Sequence, residues 1–214
     1  MTLRTKFYTV ISVTALSLGI TSTVQAIEIT GNLAATSTYM WRGVPLSTGA
    51  AAIQGGGDVI IPIGGVGSVH VGGWTSNVTG GTELDIISGF SGKFKGFEYD
   101  AGLILYRYPQ GASSANFEEL YAGVSQGSLS AKFSTSSDNG EYIEAAAGFP
   151  IATWQLTAHV GNYIVKNGSD YADFSATFTK PMPQGFDLSF MISDTTISSD
   201  DYRTTITLST AFKP

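Results

Sequence analysis

From Glu28 to Phe212 the chain alternates apolar with polar side chains in short runs broken by clusters of Gly, Pro, Ser and Asn. A period of two marks a β-strand whose two faces meet different surroundings, because successive side chains point to opposite sides of the pleat. The alternation predicts about twelve strands. They run over about Glu28–Arg42, Ala51–Ile61, Val66–Ser76, Thr82–Ser91, Phe97–Tyr108 and Phe117–Ser125, then Ser128–Thr135, Glu141–Phe149, Thr153–Val165, Tyr171–Thr179, Phe186–Ser193 and Tyr202–Phe212. In the first, Ile29, Leu33 and Ala35 share a face with Tyr39 and Trp41, opposite Glu28, Thr30, Asn32 and Arg42. In the fifth, Leu103 and Leu105 oppose Glu98 and Asp100. The same division recurs along the chain: charges on one face, aliphatic or aromatic side chains on the other.

Two architectures accept such strands. A secreted sandwich turns the apolar face inward, whereas a membrane barrel turns it out to lipid and keeps the charges in its lumen. Only 13% of residues are charged, aromatic residues gather near strand ends, and the last strand closes on Phe212. These features favour the barrel, in which aromatic girdles meet the lipid headgroups. Tyr39, Trp41, Trp154, Tyr202 and Phe212 are the girdle candidates. The links also alternate. Those after even strands, such as Gln126-Gly127 and Pro150–Ala152, are tight or proline-rich, and those after odd strands, such as Gly43–Ala50 and Pro109–Asn116, are longer and more polar. Short periplasmic turns facing longer external loops produce that asymmetry, and an even strand number suits a bacterial single-chain barrel. The expected fold is all-β: one transmembrane antiparallel up-and-down β-barrel.

The N-terminus reads as an export signal. Arg4 and Lys6 precede a mostly apolar stretch from Phe7 to Ile20, and Val24-Gln25-Ala26 supplies the small residues favoured before cleavage. Ser12, Thr14 and Ser17 interrupt the stretch, which is short for a helix that needs ~20 apolar residues to span. Residues 1–26 are thus expected to be a cleaved signal peptide and 27–214 the barrel, a single domain by length. The expected location is the outer membrane of a Gram-negative bacterium. Expected partners are its lipid and lipopolysaccharide, and the barrel-assembly machinery through the C-terminal strand.

Charge and composition then exclude several classes. The chain has 17 acidic and 11 basic residues, and the leader would remove Arg4 and Lys6 from the basic set. Such a surface repels phosphate, so no nucleic-acid partner is expected. There is no cysteine, hence no disulfide framework and no thiolate metal site. No cofactor is expected.

The inward faces would collect Glu28, Asp58, Glu83, Asp85, Glu98, Asp100, Glu119, Glu144, Asp173 and Asp187, with Arg42, Lys132 and Arg203 as the main cations. A channel walled in this way favours cations and repels anions; with about twelve strands its bore is modest. The same groups could instead pair with one another and fill the lumen. Arg42, beside Trp41 and just before the first long link, reads either as a positive spot near a constriction or as a salt bridge that orders the loop. Glu83 and Asp85 lie ~7 Å apart on one strand face. No loop with calcium-site spacing follows them, which favours a solvated lining. His70 and His159 are the only histidines, Ser130 has no spacing that makes it a partner of His159, and no Gly-x-Ser-x-Gly motif occurs. An enzyme is therefore not expected.

Several strings, in order, carry a resemblance: Ser37-Thr38-Tyr39-Met40-Trp41-Arg42-Gly43, Gln54-Gly55-Gly56 with Asp58, Trp74-Thr75-Ser76-Asn77 and Glu83-Leu84-Asp85. Gly89-Phe90-Ser91-Gly92, Tyr99-Asp100-Ala101-Gly102, Tyr106-Arg107-Tyr108-Pro109 and Asn116-Phe117-Glu118-Glu119-Leu120-Tyr121-Ala122-Gly123 complete the set. In them the chain resembles the proteobacterial TorF-type porin family, formerly known as conserved hypothetical proteins. The resemblance implies an outer-membrane β-barrel and carries no catalytic set. One departure is at the end, where Lys213 and Pro214 follow the terminal aromatic Phe212. The expected function is passive diffusion of small hydrophilic solutes or ions with a weak cation preference. Alternatives are a structural or adhesive barrel without an open pore, and a membrane-embedded lipid hydrolase.

Overall fold

The computed structural model describes residues 26–110, 115–198 and 201–213. Up to residue 25, the predicted leader lies outside the described residues. The chain forms β1 (Glu28–Thr36), the two-residue β2 (Met40–Trp41) and β3 (Val44–Pro45), then β4 (Ala52–Ile63), β5 (Gly67–Val78), β6 (Gly81–Phe94) and β7 (Phe97–Arg107). β8 (Phe117–Gln126), β9 (Leu129–Ser136), β10 (Gly140–Ile151), β11 (Trp154–Val165), β12 (Tyr171–Pro181), β13 (Phe186–Thr195) and β14 (Arg203–Phe212) follow. All but β2 and β3 form one antiparallel meander, and β1 pairs with both β4 and β14, so the sheet closes as a twelve-stranded barrel. Closure leaves no unpaired strand edge, as a sheet crossing a bilayer requires.

Burial is inverted relative to a soluble protein. Glu83 and Glu119 are among the most buried side chains, while Ile53 and Leu120 are 64% and 59% exposed. The register explains this: each inward residue faces another inward residue, as in Asp58↔Gly72↔Ile87 and Lys132↔Glu144↔Gly161↔Asp173. Outward positions in the middle of the strands, among them Val71, Ile86, Leu103, Val124, Ala145, Val160 and Ala176, carry no charge. Arg107 and Glu118, paired at 2.9 Å, mark one end of this apolar band. Lys180, over the Trp154 ring, marks the other.

Links at the two ends differ in length. At the end bearing the termini they span 64–66, 95–96, 127–128, 152–153 and 182–185. At the opposite end, called the loop end below, they span 37–51, 79–80, 108–116, 137–139, 166–170 and 196–202. The seam between the first and last strands places Gly31 opposite Phe212, whose ring lies where a side chain on Gly31 would be. Lys213, beyond the terminal aromatic, pairs with Glu28 across the same seam.

One element departs from the expected strands. The first strand does not continue to Arg42 but ends at Thr36, whose hydroxyl donates to the Thr38 carbonyl at 3.0 Å. Such local hydroxyl–backbone bonds compete with the ladder and turn the chain. β2 and β3 then make a small hairpin closed by Arg42 (φ 48°) and Gly43 (φ 77°). Two left-handed residues in a two-residue loop are the I′ geometry that tight hairpins favour.

Candidate functional site: the lumen

The β2–β3 hairpin folds into the barrel and brings Tyr39, Trp41 and Arg42 with it. Its entry is fixed by Ser47, whose hydroxyl accepts from the Tyr39 backbone N–H at 2.8 Å. Tyr39 donates its hydroxyl to Glu83 on β6 (2.9 Å). Arg42 reaches further and donates to Glu119 on β8 at 2.5 Å. On the opposite wall the Tyr171 hydroxyl donates to the Arg42 carbonyl at 3.1 Å. The hairpin therefore crosses the loop end of the lumen, tied to β6, β8 and β12.

Tyr39 and Trp41 are thus corrections to the expected girdle. Tyr39 is buried with its ring edge-on to Trp74 at 5.3 Å, and Trp41 sits 5.9–6.4 Å from Tyr106, Phe117 and Tyr163. Both face the lumen because the chain leaves the barrel wall before reaching them. Trp154, Tyr202 and Phe212 remain on the outside, and Phe94, Phe97, Phe149 and Phe186 are exposed near the turn end with Trp154 and Phe212.

Arg42 faces the lumen from the hairpin and not from the first barrel strand. Its guanidinium carbon lies 4.4 Å from the Trp41 ring centre, 4.3 Å from that of Tyr142 and 4.8 Å from that of Tyr163. Burial works against its charge, but the adjoining Glu119 outweighs that, and its pKa stands above the usual arginine value. The side chain is thus a permanent cation held by one carboxylate and three π faces.

Below the hairpin lies a cavity of about 270 Å³. Of the expected lining residues, Arg42, Asp58, Asp85, Asp100, Lys132, Glu144 and Asp173 border it. Glu83 and Glu119 do not, being covered by their hairpin partners. Glu98 pairs with Lys93 near the turn end, partly exposed, and Arg203 stands at the loop end of β14.

The charged groups fall into two sets. On β9–β12, Lys132 Nζ lies 3.0 Å from Glu144, whose other oxygen is 3.2 Å from His159 Nε2. His159 Nδ1 lies 3.4 Å from Asp173, and Tyr142 donates to Asp173 at 2.8 Å. Gly161 makes room for that last bond, because a side chain there would meet the Tyr142 hydroxyl at 2.0 Å and the Asp173 carboxylate at 2.5 Å. On β5–β7, His70 Nε2 lies 3.0 Å from Asp100, while Glu83 accepts from the phenols of Tyr39 (2.9 Å) and Tyr108 (2.8 Å). Asp85 is 7% exposed, and its Oδ1 accepts no hydrogen bond from the described residues.

This arrangement can hold or pass polar solutes, but it is poorly built for acyl hydrolysis. Each nitrogen of His159 lies against a carboxylate, Nε2 at 3.2 Å from Glu144 and Nδ1 at 3.4 Å from Asp173, and not against a serine hydroxyl. Ser130 is separated from it by β10, with Ala146 between them in register. The oxygens of Glu83 are occupied by phenols, so Glu83 and Asp85 do not form an open calcium pair. The rings of Trp74, Tyr106, Tyr121, Tyr142 and Tyr163 and the Ser47 hydroxyl were not among the candidate site residues; for the rings, the available signal was that each shares strand parity with a charged residue or a histidine.

Solved structures share this architecture. The KdgM porin, also solved in complex with disordered oligogalacturonate, superposes with a TM-score of 0.57 at 9% identity, covering 86% of this chain and 99% of KdgM. An outer membrane channel from Pseudomonas putida F1 superposes at 0.52 with 8% identity, covering 93% of this chain and 100% of its own. A protein solved in a study of in-meso crystallization of membrane proteins reaches 0.63 at 7% identity, over 87% of this chain and 83% of its own. At these identities the likeness is one of fold, that of outer-membrane barrels. No curated protein matches the chain. A family profile described as bacterial protein of unknown function (Gcw_chp) matches residues 21–213, and the chain belongs to that family.

Proposed function

We propose that the chain is an outer-membrane channel of the TorF porin type, through which small hydrophilic solutes or ions diffuse with a weak preference for cations. The observation that carries this reading is the acid-bordered cavity inside a closed barrel whose outer band is uncharged. A wall holding Asp58, Asp85, Asp100, Glu144 and Asp173 against Arg42 and Lys132 raises the local concentration of cations and lowers that of anions. A polyanion such as the oligogalacturonate bound by KdgM would meet repulsion here. In this reading residues 1–26 are removed on export, the loop end faces outward into lipopolysaccharide, and the assembly machinery reads the strand ending at Phe212.

The hairpin carrying Arg42 favours the alternative of a barrel with no open pore, because it is tied to three strands across the lumen. Single-channel recording of the refolded barrel in planar bilayers separates the two. The channel reading expects discrete current steps; a silent membrane containing folded barrel would leave the structural or adhesive role.

A further inference from the structure

Asp85 stands out among the acids of the lumen. On the ladder it is flanked directly by Trp74 of β5 and Tyr106 of β7, all three facing inward. It borders the cavity together with Ile87 and Ile104. Glu83 is its neighbour on the same face of β6, and Glu119 stands on β8, two strands away; both are acids. Glu119 is matched by Arg42, and Glu83 by two neutral phenols. Among the described residues, no basic side chain pairs with Asp85. A nearly buried carboxylate of this kind is costly without a cation.

The surroundings decide which cation fits. An inorganic ion wants six or more oxygen ligands, whereas the ladder neighbours of Asp85 are an indole and a phenol, and Ile87 and Ile104 border the same cavity. An alkylated ammonium is satisfied by one carboxylate and the faces of aromatic rings. The lumen already contains such a site, filled from within: Arg42 lies on Glu119 among Trp41, Tyr142 and Tyr163. Asp85 has an indole and a phenol beside it on the ladder, one face of Tyr106 being stacked on Phe117 at 4.2 Å, and among the described residues no cation sits there.

We propose that Asp85 binds a small organic ammonium ion, with the charge on its carboxylate and the alkyl groups against Trp74 and Tyr106. The proposal deepens the channel reading, since it rests on the same solvent-reached lumen, and it names organic ammonium compounds as the preferred class of solute.

Isothermal titration calorimetry of the refolded full barrel in detergent, with choline chloride as the probe, tests it. Wild-type protein should give saturable heat that sodium chloride at equal ionic strength does not. Asp85→Asn, nearly isosteric, should weaken binding at least tenfold, Trp74→Leu should weaken it less, and Glu98→Gln, near the turn end, should leave it unchanged. Choline heats indistinguishable from those of sodium, or undiminished affinity in Asp85→Asn, would overturn the proposal. Calorimetry reads binding whether or not current flows. A barrel that binds choline but never conducts would therefore count against the channel and not against the site.

Discussion

On the β9–β12 side of the lumen, Glu144 and Asp173 are matched by Lys132, His159 and Tyr142, whereas Glu83 and Asp85 on β6 have no cationic partner among the described residues. Both sides bury acids in the same barrel and at similar depth. The matched side behaves as structure: each charge removed from water recovers a partner, and the net gain from such pairs is modest. Asp85 on β6 is different, since it borders the cavity with no cationic partner among the described residues. Charge balance, more than the number of acids, separates the part of the wall that holds the barrel from the part proposed to meet a solute.

The comparison can be broken most strongly at Arg42, the cation nearest the unmatched side. Arg42→Ala strands Glu119 at 2% exposure and removes one of the three ties of the hairpin. It should cost about 3–5 kcal/mol in denaturant unfolding, and it should shift the reversal potential in bilayers. An unchanged reversal potential would remove Arg42 from the conduction path. Val160→Arg probes the other face of the strand that carries His159, placing a charge in the apolar band. It should cost about 2–4 kcal/mol, measured by unfolding from lipid vesicles.

Smaller effects sharpen the contrast between the two sides. Lys132→Met leaves Glu144 with His159 as its remaining partner and should cost about 1–3 kcal/mol. Asp85→Asn should leave stability unchanged or raise it, because it removes a buried acid that has no cationic partner among the described residues, and it should lower the preference for cations. A destabilised Asp85→Asn barrel would mean that Asp85 is structural after all, and the two sides would no longer differ.

Most of the barrel wall was legible because alternation is local. Each of Leu103, Ala122, Ala145 and Val160 could be assigned a face from its immediate neighbours. The hairpin was not, because residues 37–42 keep the same alternation as the strand before them. What bends them inward is the Thr36 hydroxyl bond and then docking onto Glu83 and Glu119, which lie 44 and 77 residues further along the chain. The charged face was legible as a set, but its internal pairing was not. Lys132 meets Glu144 and not Asp85 only because strand order and register place β9 beside β10. His70 and His159 looked isolated in the sequence for the same reason, although each faces a carboxylate across the ladder. The glycine opposite Asp173 is a fainter signal of that pairing, readable only once the register is known.

The most direct test of the central claim is the reversal potential of the refolded barrel in a planar bilayer under a potassium chloride gradient. The unmatched acids of the wall predict that potassium crosses more readily than chloride. A reversal potential showing preference for chloride, or a folded barrel that passes no current at all, would contradict the account.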